Sequence, residues 1–302
     1  MNRFTIEQLS YLSRLPDKTI NFWSKKYNVF KLDEKKIKNQ FSSNDLHRIL
    51  NIATLFHLNS KYKIEEICTW EDEKLQTKVE IELLTDLIKK ETNEDIINQL
   101  VASCLTYNET RFNFIINTTI KKLSRKEFYE FILYPFLYRI YDVIKDEHEK
   151  PVQFYYMKNL LKRKFYALID GAAYYINKKN NALLFLPEGE FNEIGLLFSN
   201  LILLEKGFQT FYIGPNQSIN SIELAIKDLN PDLLITYIPT NENSNIYDKY
   251  IDELNHHKEK MILIGTETSL NSIKDKEIKK IFDLNHLYDE LENQESIKME
   301  LN

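Results

Sequence analysis

Glycine is scarce in this 302-residue chain, which holds 6. Positions 1–170 contain none, and Gly171, Gly189, Gly195, Gly207, Gly214 and Gly265 all follow. A long stretch without the residue that most readily takes positive φ is expected to be helical, with sharp turns returning only afterwards. Cysteine is scarcer still. Cys68 and Cys104 are too few and too far apart for a disulfide framework or a thiolate zinc site, and are expected to be small buried hydrophobes. No apolar run is long enough to span a bilayer, and no basic-then-apolar leader opens the chain. A soluble cytoplasmic protein without a membrane partner is the expectation. Neither G-x-G-x-x-G nor a Walker sequence occurs, which removes the usual dinucleotide and triphosphate fingerprints. No nucleophile–base pair stands out, and His148, His256, His257 and His286 have no acidic or Cys partner at helical spacing. They are expected at the surface, with no metal site and no enzyme activity.

What is present divides along the chain. Residues 1–70 carry 12 Lys and Arg against 7 Asp and Glu, a balance of +5 inside a protein of net charge −5. A basic N-terminal unit is a candidate for nucleic acid, while the acidic remainder argues against a general positive coat. Thr5-Ile6-Glu7-Gln8 is a capping-box pattern that starts a first helix with Ile6, Leu9 and Leu12 on one face. After Pro16, a second helix is expected from Asp17 through Lys18, Thr19, Ile20, Asn21, Phe22, Trp23, Lys25 and Lys26. Two short helices joined by about four residues form a helix-turn-helix, whose second helix usually enters the major groove. Ser42 or Ser43 caps a third helix, Ile64 to Trp70 make a short fourth, and 71–90 suit a linker or dimerisation helix. Residues 94–178 keep helical periodicity in roughly four helices, a bundle rich in aromatics.

The texture changes at Asn181. Short apolar runs at 182–186, 208–214, 233–238 and 261–264 alternate with helices at 192–206, 221–229 and 247–256. That alternation predicts a parallel sheet with helices on both faces and ligands at the strands' C-terminal ends. The expected fold class is therefore mixed α and α/β. A winged helix-turn-helix head (1–75) precedes a linker helix and four-helix bundle (76–178) and a Rossmann-like domain (179–302).

The first 70 residues resemble the MerR family of transcription regulators. The match runs through Phe4-Thr5-Ile6-Glu7-Gln8-Leu9, Lys18-Thr19-Ile20-Asn21-Phe22-Trp23-Ser24-Lys25-Lys26-Tyr27 and Phe41-Ser42-Ser43-Asn44-Asp45-Leu46. The resemblance implies a winged helix-turn-helix that binds double-stranded DNA as a dimer. Lys18, Thr19 and Asn21 would face the groove, where Lys reaches guanine and Asn pairs adenine. Trp23, Lys25 and Lys26 would sit near phosphates, and Lys35, Lys36 and Lys38 would charge the wing. One of Phe22 and Trp23 is expected in the core. Ile37 and Asn39 stand where the family's wing has glycine and arginine, and Asn21 where it has arginine.

The remainder resembles one branch of that family, the cobalamin-dependent photoreceptor repressors, whose sheet domain carries D-x-H-x-x-G, S-x-L and G-G. Glu190-Phe191-Asn192-Glu193-Ile194-Gly195, Thr236-Tyr237-Ile238 and Gly265-Thr266 occupy those places at the family's spacing. Asn192 replaces the histidine that would ligate cobalt, and an amide is a poor substitute for imidazole at a transition metal. In the helical part, Pro135-Phe136-Leu137-Tyr138-Arg139-Ile140 aligns Ile144 with the family's tryptophan and Phe154-Tyr155 with its Glu-His pair. The cofactor residues Ile144, Phe154, Tyr155, Glu190, Asn192, Gly195, Thr236 and Gly265 are thus a degenerate set, and no cofactor is expected. The aromatic cluster that includes Phe154 and Tyr155 is expected to be ordinary bundle core, the alternative being that bulky side chains at 144, 154 and 155 fill the corrin's space. Glu190 and Glu193 would cap the loop at a helix start. The expectation is a MerR-type regulator without cobalamin dependence. The alternatives are a docking or antirepressor module with a protein partner and no DNA contact, and a cobalamin carrier for methyl transfer.

Overall fold

The computed structural model describes residues 3–30, 40–58, 62–85, 90–144, 152–172, 180–240, 244–284 and 286–291, with backbone alone at 84–85, 90–92 and 141–144. The chain folds into two compact units, Met1–Met157 and Lys158–Asn302.

In the first unit, α1 (Ile6–Ser13) starts where its capping box predicts. Thr5 Oγ1 accepts from the Gln8 amide at 3.3 Å, and Gln8 Oε1 accepts from the Thr5 amide at 3.0 Å. Arg14 turns the chain at φ 57°, α2 (Asp17–Tyr27) follows Pro16, and Asn28 ends it at φ 54°. Tyr107 is also left-handed, at φ 57°. The glycine-free stretch therefore does make positive-φ turns, a correction to the expectation above. Each costs roughly 1–2 kcal/mol for an ordinary side chain and less for Asn.

Ser42 caps α3 (Ser43–His57), its Oγ accepting from the Asp45 amide at 3.2 Å while Asp45 Oδ2 accepts from the Ser42 amide at 2.9 Å. A two-bond antiparallel bridge joins Phe4 to Phe41. It brackets the segment that carries Lys35, Lys36 and Lys38, which lies outside the described residues. Leu9, Leu12, Ile20, Trp23, Leu46, Ile49 and Leu50 make the core of this part. Behind it come α4 (Ile64–Ile67) and α5 (Asp72–Thr85).

Next in the chain are α6 (Lys90–Leu105), α7 (Glu109–Lys122), α8 (Arg125–Phe128), a π-helical turn at Tyr129–Leu133 and α9 (Tyr134–Ile144). Pro135 explains the π turn. It has no amide to donate to Phe131, and the preceding Tyr134 amide bonds Tyr129 O, five residues back. The helix α10 (Val152–Ala172) crosses from one unit into the other. α3 packs against α1, α5 and α6.

The second unit is the parallel sheet that the alternation implies. Its strands are β1 (Asn181–Pro187), β2 (Gln209–Gln217), β3 (Leu233–Ile238), β4 (Met261–Gly265) and β5 (Lys279–Phe282). The order is β2-β1-β3-β4-β5, parallel throughout. β5 escapes the sequence pattern because only Ile281 of its four residues is buried. The helices are α11 (Ile194–Glu205), α12 (Ile219–Leu229), α13 (Ser244–Glu253) and the short α14 (Glu267–Asn271). α11 packs on β1, β2 and β3, and α12 and α13 on β1. α11 is buried along its whole length from Ile194 to Leu204, as a helix apolar all round must be. Its outer side meets α10, where Phe165 and Phe198 stack edge to face at 5.5 Å. The strand order reverses between β1 and β3, so their C-terminal ends flank the place where sheets of this kind hold ligands.

Candidate functional site

Two places carry the residues singled out above. On α2, Lys18, Asn21, Phe22 and Lys25 are exposed, and their spacing of 3, 1 and 3 puts them on one face. Ile20 and Trp23 face inward, with Trp23 5% exposed and its ring 5.2 Å from that of Phe56. Trp23 is therefore a core side chain, which corrects its assignment near phosphates, and Phe22 is the outward member of the aromatic pair. Lys26 is also exposed, with Nζ 5.4 Å from the Phe22 ring centre and 5.0 Å from that of Tyr27. Thr19 is half-buried. Among the described residues, no ion pair engages Lys18, Lys25 or Lys26.

The second place is the C-terminal end of the sheet. After β1, Gly189 turns at φ 87° and its amide donates to Asn216 Oδ1 at 2.9 Å. The Asn216 amide donates in turn to Glu190 O, so the loop is stitched to the end of β2. Glu190, 5% exposed, uses Oε1 to accept from the Asn192 amide at 2.7 Å. This is the loop-capping role expected of it.

Glu193 does something else. It stands at the start of α11 without a side-chain cap bond. Its buried carboxylate instead meets Lys162 Nζ at 2.5 Å, the Tyr212 hydroxyl at 2.6 Å and the Tyr166 hydroxyl at 3.3 Å. Capping is thus the wrong role for Glu193, which ties α10 and β2 to the head of α11. Burial first, and then the hydrogen bond to Glu193 and its charge, push the Tyr212 and Tyr166 hydroxyls above the usual phenol range. Both stay protonated donors.

The two motif glycines are close-packed. An ideal Cβ on Gly195 would fall 2.3 Å from two carbons of the Tyr237 ring and 2.5 Å from a third. One on Gly265 would fall 2.7 Å from Ile238 O and 2.7 Å from Ser269 Oγ. Thr266, where a second glycine stands in the resembling family, caps α14 by accepting from the Ser269 amide at 3.2 Å. Thr236 is 3% exposed and its Oγ1 has no hydrogen-bond partner among the described residues. Tyr237, Tyr212, Lys162 and Tyr166 were not singled out from sequence. Only the position of Tyr237 between Thr236 and Ile238 was a pointer.

Tyr155 is 54% exposed and Phe154 half-buried, their rings 6.1 Å apart, and the Ile144 side chain lies outside the described residues. His148 does too. Among the described residues no group of three or more His, Cys, Asp and Glu could hold a metal ion, and no helix is long and apolar enough to cross a membrane. Burial pushes the Cys68 thiol up to about 11 and raises Cys104 further, so both remain protonated at neutral pH.

A buried polar network runs through the first unit. Arg111 donates to Gln99 Oε1 at 2.9 Å and Asn51 Oδ1 at 3.0 Å, and Gln99 donates to Asn51 and Thr54. Beside it, His47 Nε2 lies 2.6 Å from Thr106 Oγ1, whose own proton goes to Ala102 O. Nε2 therefore carries the hydrogen in this bond. Burial, then the Arg111 charge, lower the His47 pKa to about 4. A depressed histidine favours the fold when neutral. Its contribution is complete above the unfolded value near 6.5 and is lost as pH falls toward 4, by roughly 3 kcal/mol over the window. Burial raises the Asp95 pKa and opposes this trend. Thermal melts of His47→Gln are expected to lose most of the wild-type decline between pH 6.5 and 4. An undiminished decline in that variant would count against His47 as its source.

Comparison with known proteins bears on the fold. No protein-family model matches the chain, and no curated protein does. Among solved structures, the chain is similar to the monomethylamine corrinoid protein of Methanosarcina barkeri. The identity is 14% and the TM-score 0.53, over 67% of this chain and 99% of that one. Weaker likenesses are to a cobalamin-binding protein of Desulfitobacterium hafniense (15% identity, TM-score 0.36, over 72% and 97% of the two chains) and to a methanol:cobalamin methyltransferase complex of Methanosarcina barkeri (12%, 0.35, 76% and 92%). The first of these shows a fold shared with that one protein, built around a Rossmann-like parallel sheet.

Proposed function

We propose that the protein is a DNA-binding transcription regulator of the MerR type, dimeric on its operator, whose corrinoid-type domain works without cobalamin. The observation that carries this reading is the outward face of α2, where Lys18, Asn21 and Lys25 stand free of ion pairs among the described residues on a helix entered by a tight turn at Arg14. A helix so presented offers cations to phosphates and an amide to adenine. Two such heads on one dimer gain by effective concentration what a single head lacks.

Cobalamin independence is supported by the end of the sheet. Position 192 offers an amide, a poor ligand for cobalt, and Gly195 and Gly265 have no room for a Cβ against Tyr237, Ile238 and Ser269 of the same chain. On this reading the domain serves as a scaffold and the protein is not an enzyme.

The direct test is a mobility shift of the region upstream of its own gene at low salt, where phosphate contacts are strongest. A retarded band is expected, and its absence sinks the DNA reading. Protein mixed with hydroxocobalamin and then desalted is expected to emerge colourless. Retained corrin absorbance would reinstate a cofactor role. A second reading, a docking or antirepressor module, has one observation in its favour. Phe131, Tyr134 and Tyr138 are exposed on the π turn and α9, an apolar row open to a protein partner.

A further inference from the structure

The exposed face of α2 holds one residue that phosphate binding does not explain. Phe22 is 53% exposed in the middle of that face, flanked by Asn21 and Lys18 on one side and Lys25 on the other. It is not a displaced core residue, because the core place beside it is filled by Trp23 against Phe56. Tyr27 meets the ring edge to face at 6.2 Å, and the Lys26 amine lies 5.4 Å from its centre. An apolar ring turned outward among cations suits a surface that is charged overall and apolar at one point. The major groove of an A·T pair is such a surface, with phosphates on both flanks and the thymine C5-methyl projecting from the floor. Asn21, the adjacent residue, has the amide that pairs adenine across the same base pair.

We propose that Phe22 is a specificity-determining residue that reads a thymine methyl in duplex DNA beside an adenine read by Asn21. This rests on the DNA-binding reading and goes beyond it by naming the base pair. A single-stranded ligand is the less suited alternative, since stacking needs an open ring face, and Lys26 already lies over this ring.

The experiment uses the full-length protein and the region upstream of its gene, amplified once with thymidine triphosphate and once with deoxyuridine triphosphate. The two duplexes differ only by the C5-methyl groups. Wild type is expected to bind the thymine duplex roughly fourfold more tightly for each methyl contact made. Phe22→Ala is expected to bind both duplexes alike, at about the affinity of wild type for the uracil duplex. Lys25→Ala is expected to weaken both equally. An unchanged thermal midpoint for Phe22→Ala, whose side chain is exposed, shows that the fold is kept. Equal binding of wild type to the two duplexes overturns this inference and leaves DNA binding standing. No binding to either at low salt overturns both. Tighter binding to the separated strands than to the duplex overturns the duplex reading in favour of base stacking.

Discussion

Gly195→Ala is expected to destabilise the sheet unit by about 3 kcal/mol, because overpacking a filled site forces side chains and backbone apart. The new methyl would stand 2.3 Å from the Tyr237 ring, far inside contact distance. α11 is buried from Ile194 to Leu204 and packed on three strands, so the helix cannot move aside without disturbing the sheet. The ring must move, or the unit must loosen. Tyr237→Ala removes the obstacle, and the double variant is expected to be no less stable than Tyr237→Ala alone. Denaturant melts of the two single variants and the double close a cycle whose coupling energy measures the clash. A near-additive result would mean that Tyr237 does not occupy the space over Gly195, and the case for a self-filled site would lose its main support.

Arg48→Leu is expected to cost about 3 kcal/mol or more in the first unit, because it removes a buried guanidinium that serves three backbone carbonyls besides the half-exposed Asp72. Its guanidinium donates to Val29 O at 2.5 Å, Trp70 O at 3.0 Å and Cys68 O at 2.8 Å, and pairs with Asp72 at 2.5 Å. Leucine would leave those three carbonyls without this donor, and each buried orphan costs about 1–3 kcal/mol. Lysine is expected to restore little, because a single ammonium cannot reproduce the planar fork. The consequence reaches function. Val29 lies two residues beyond α2, just after its Asn28 cap, and Arg48 sits on α3, so the bond ties the exit from α2 to α3. Loss of DNA binding in Arg48→Leu should therefore accompany unfolding, whereas Lys25→Ala should lose affinity with its melt unchanged. A melt for Arg48→Leu within about 1 kcal/mol of wild type would contradict this role.

Much of the fold was legible in the residues. The Thr5 and Ser42 caps start their helices where local hydrogen bonding dictates, and the four apolar runs after Asn181 are strands of a parallel sheet. β5 was not legible, since Lys279-Lys280-Ile281-Phe282 offers no alternation and takes its conformation from the edge of β4. The left-handed turns at Arg14 and Tyr107 were hidden for a related reason. Tertiary packing holds a non-glycine residue where local preference would not place it.

The site was legible in position more than in role. Motif spacing located Glu190, Gly195, Thr236 and Gly265, but which side chain fills the space above a glycine depends on contacts across the sheet. So it was with Glu193, whose partners Lys162 and Tyr212 lie 31 and 19 residues away in sequence and on different elements. Trp23 and Phe22 show the limit in miniature. Helical periodicity allows either to face inward, and tertiary packing turns Trp23 in beside Ile20 and leaves Phe22 out.

On the proposed reading, α2 binds duplex DNA through its lysines without help from cobalamin. Fluorescence anisotropy of a labelled upstream duplex, titrated between about 50 and 200 mM salt, tests it most directly. Wild type is expected to lose affinity steeply with salt, with the same slope in the presence and absence of hydroxocobalamin. The Lys18→Ala/Lys25→Ala/Lys26→Ala variant is expected to show a slope shallower by about 2 per protomer, from the two phosphate-facing lysines. A wild-type slope unchanged in that variant, or affinity that appears only with cobalamin, would contradict the claim.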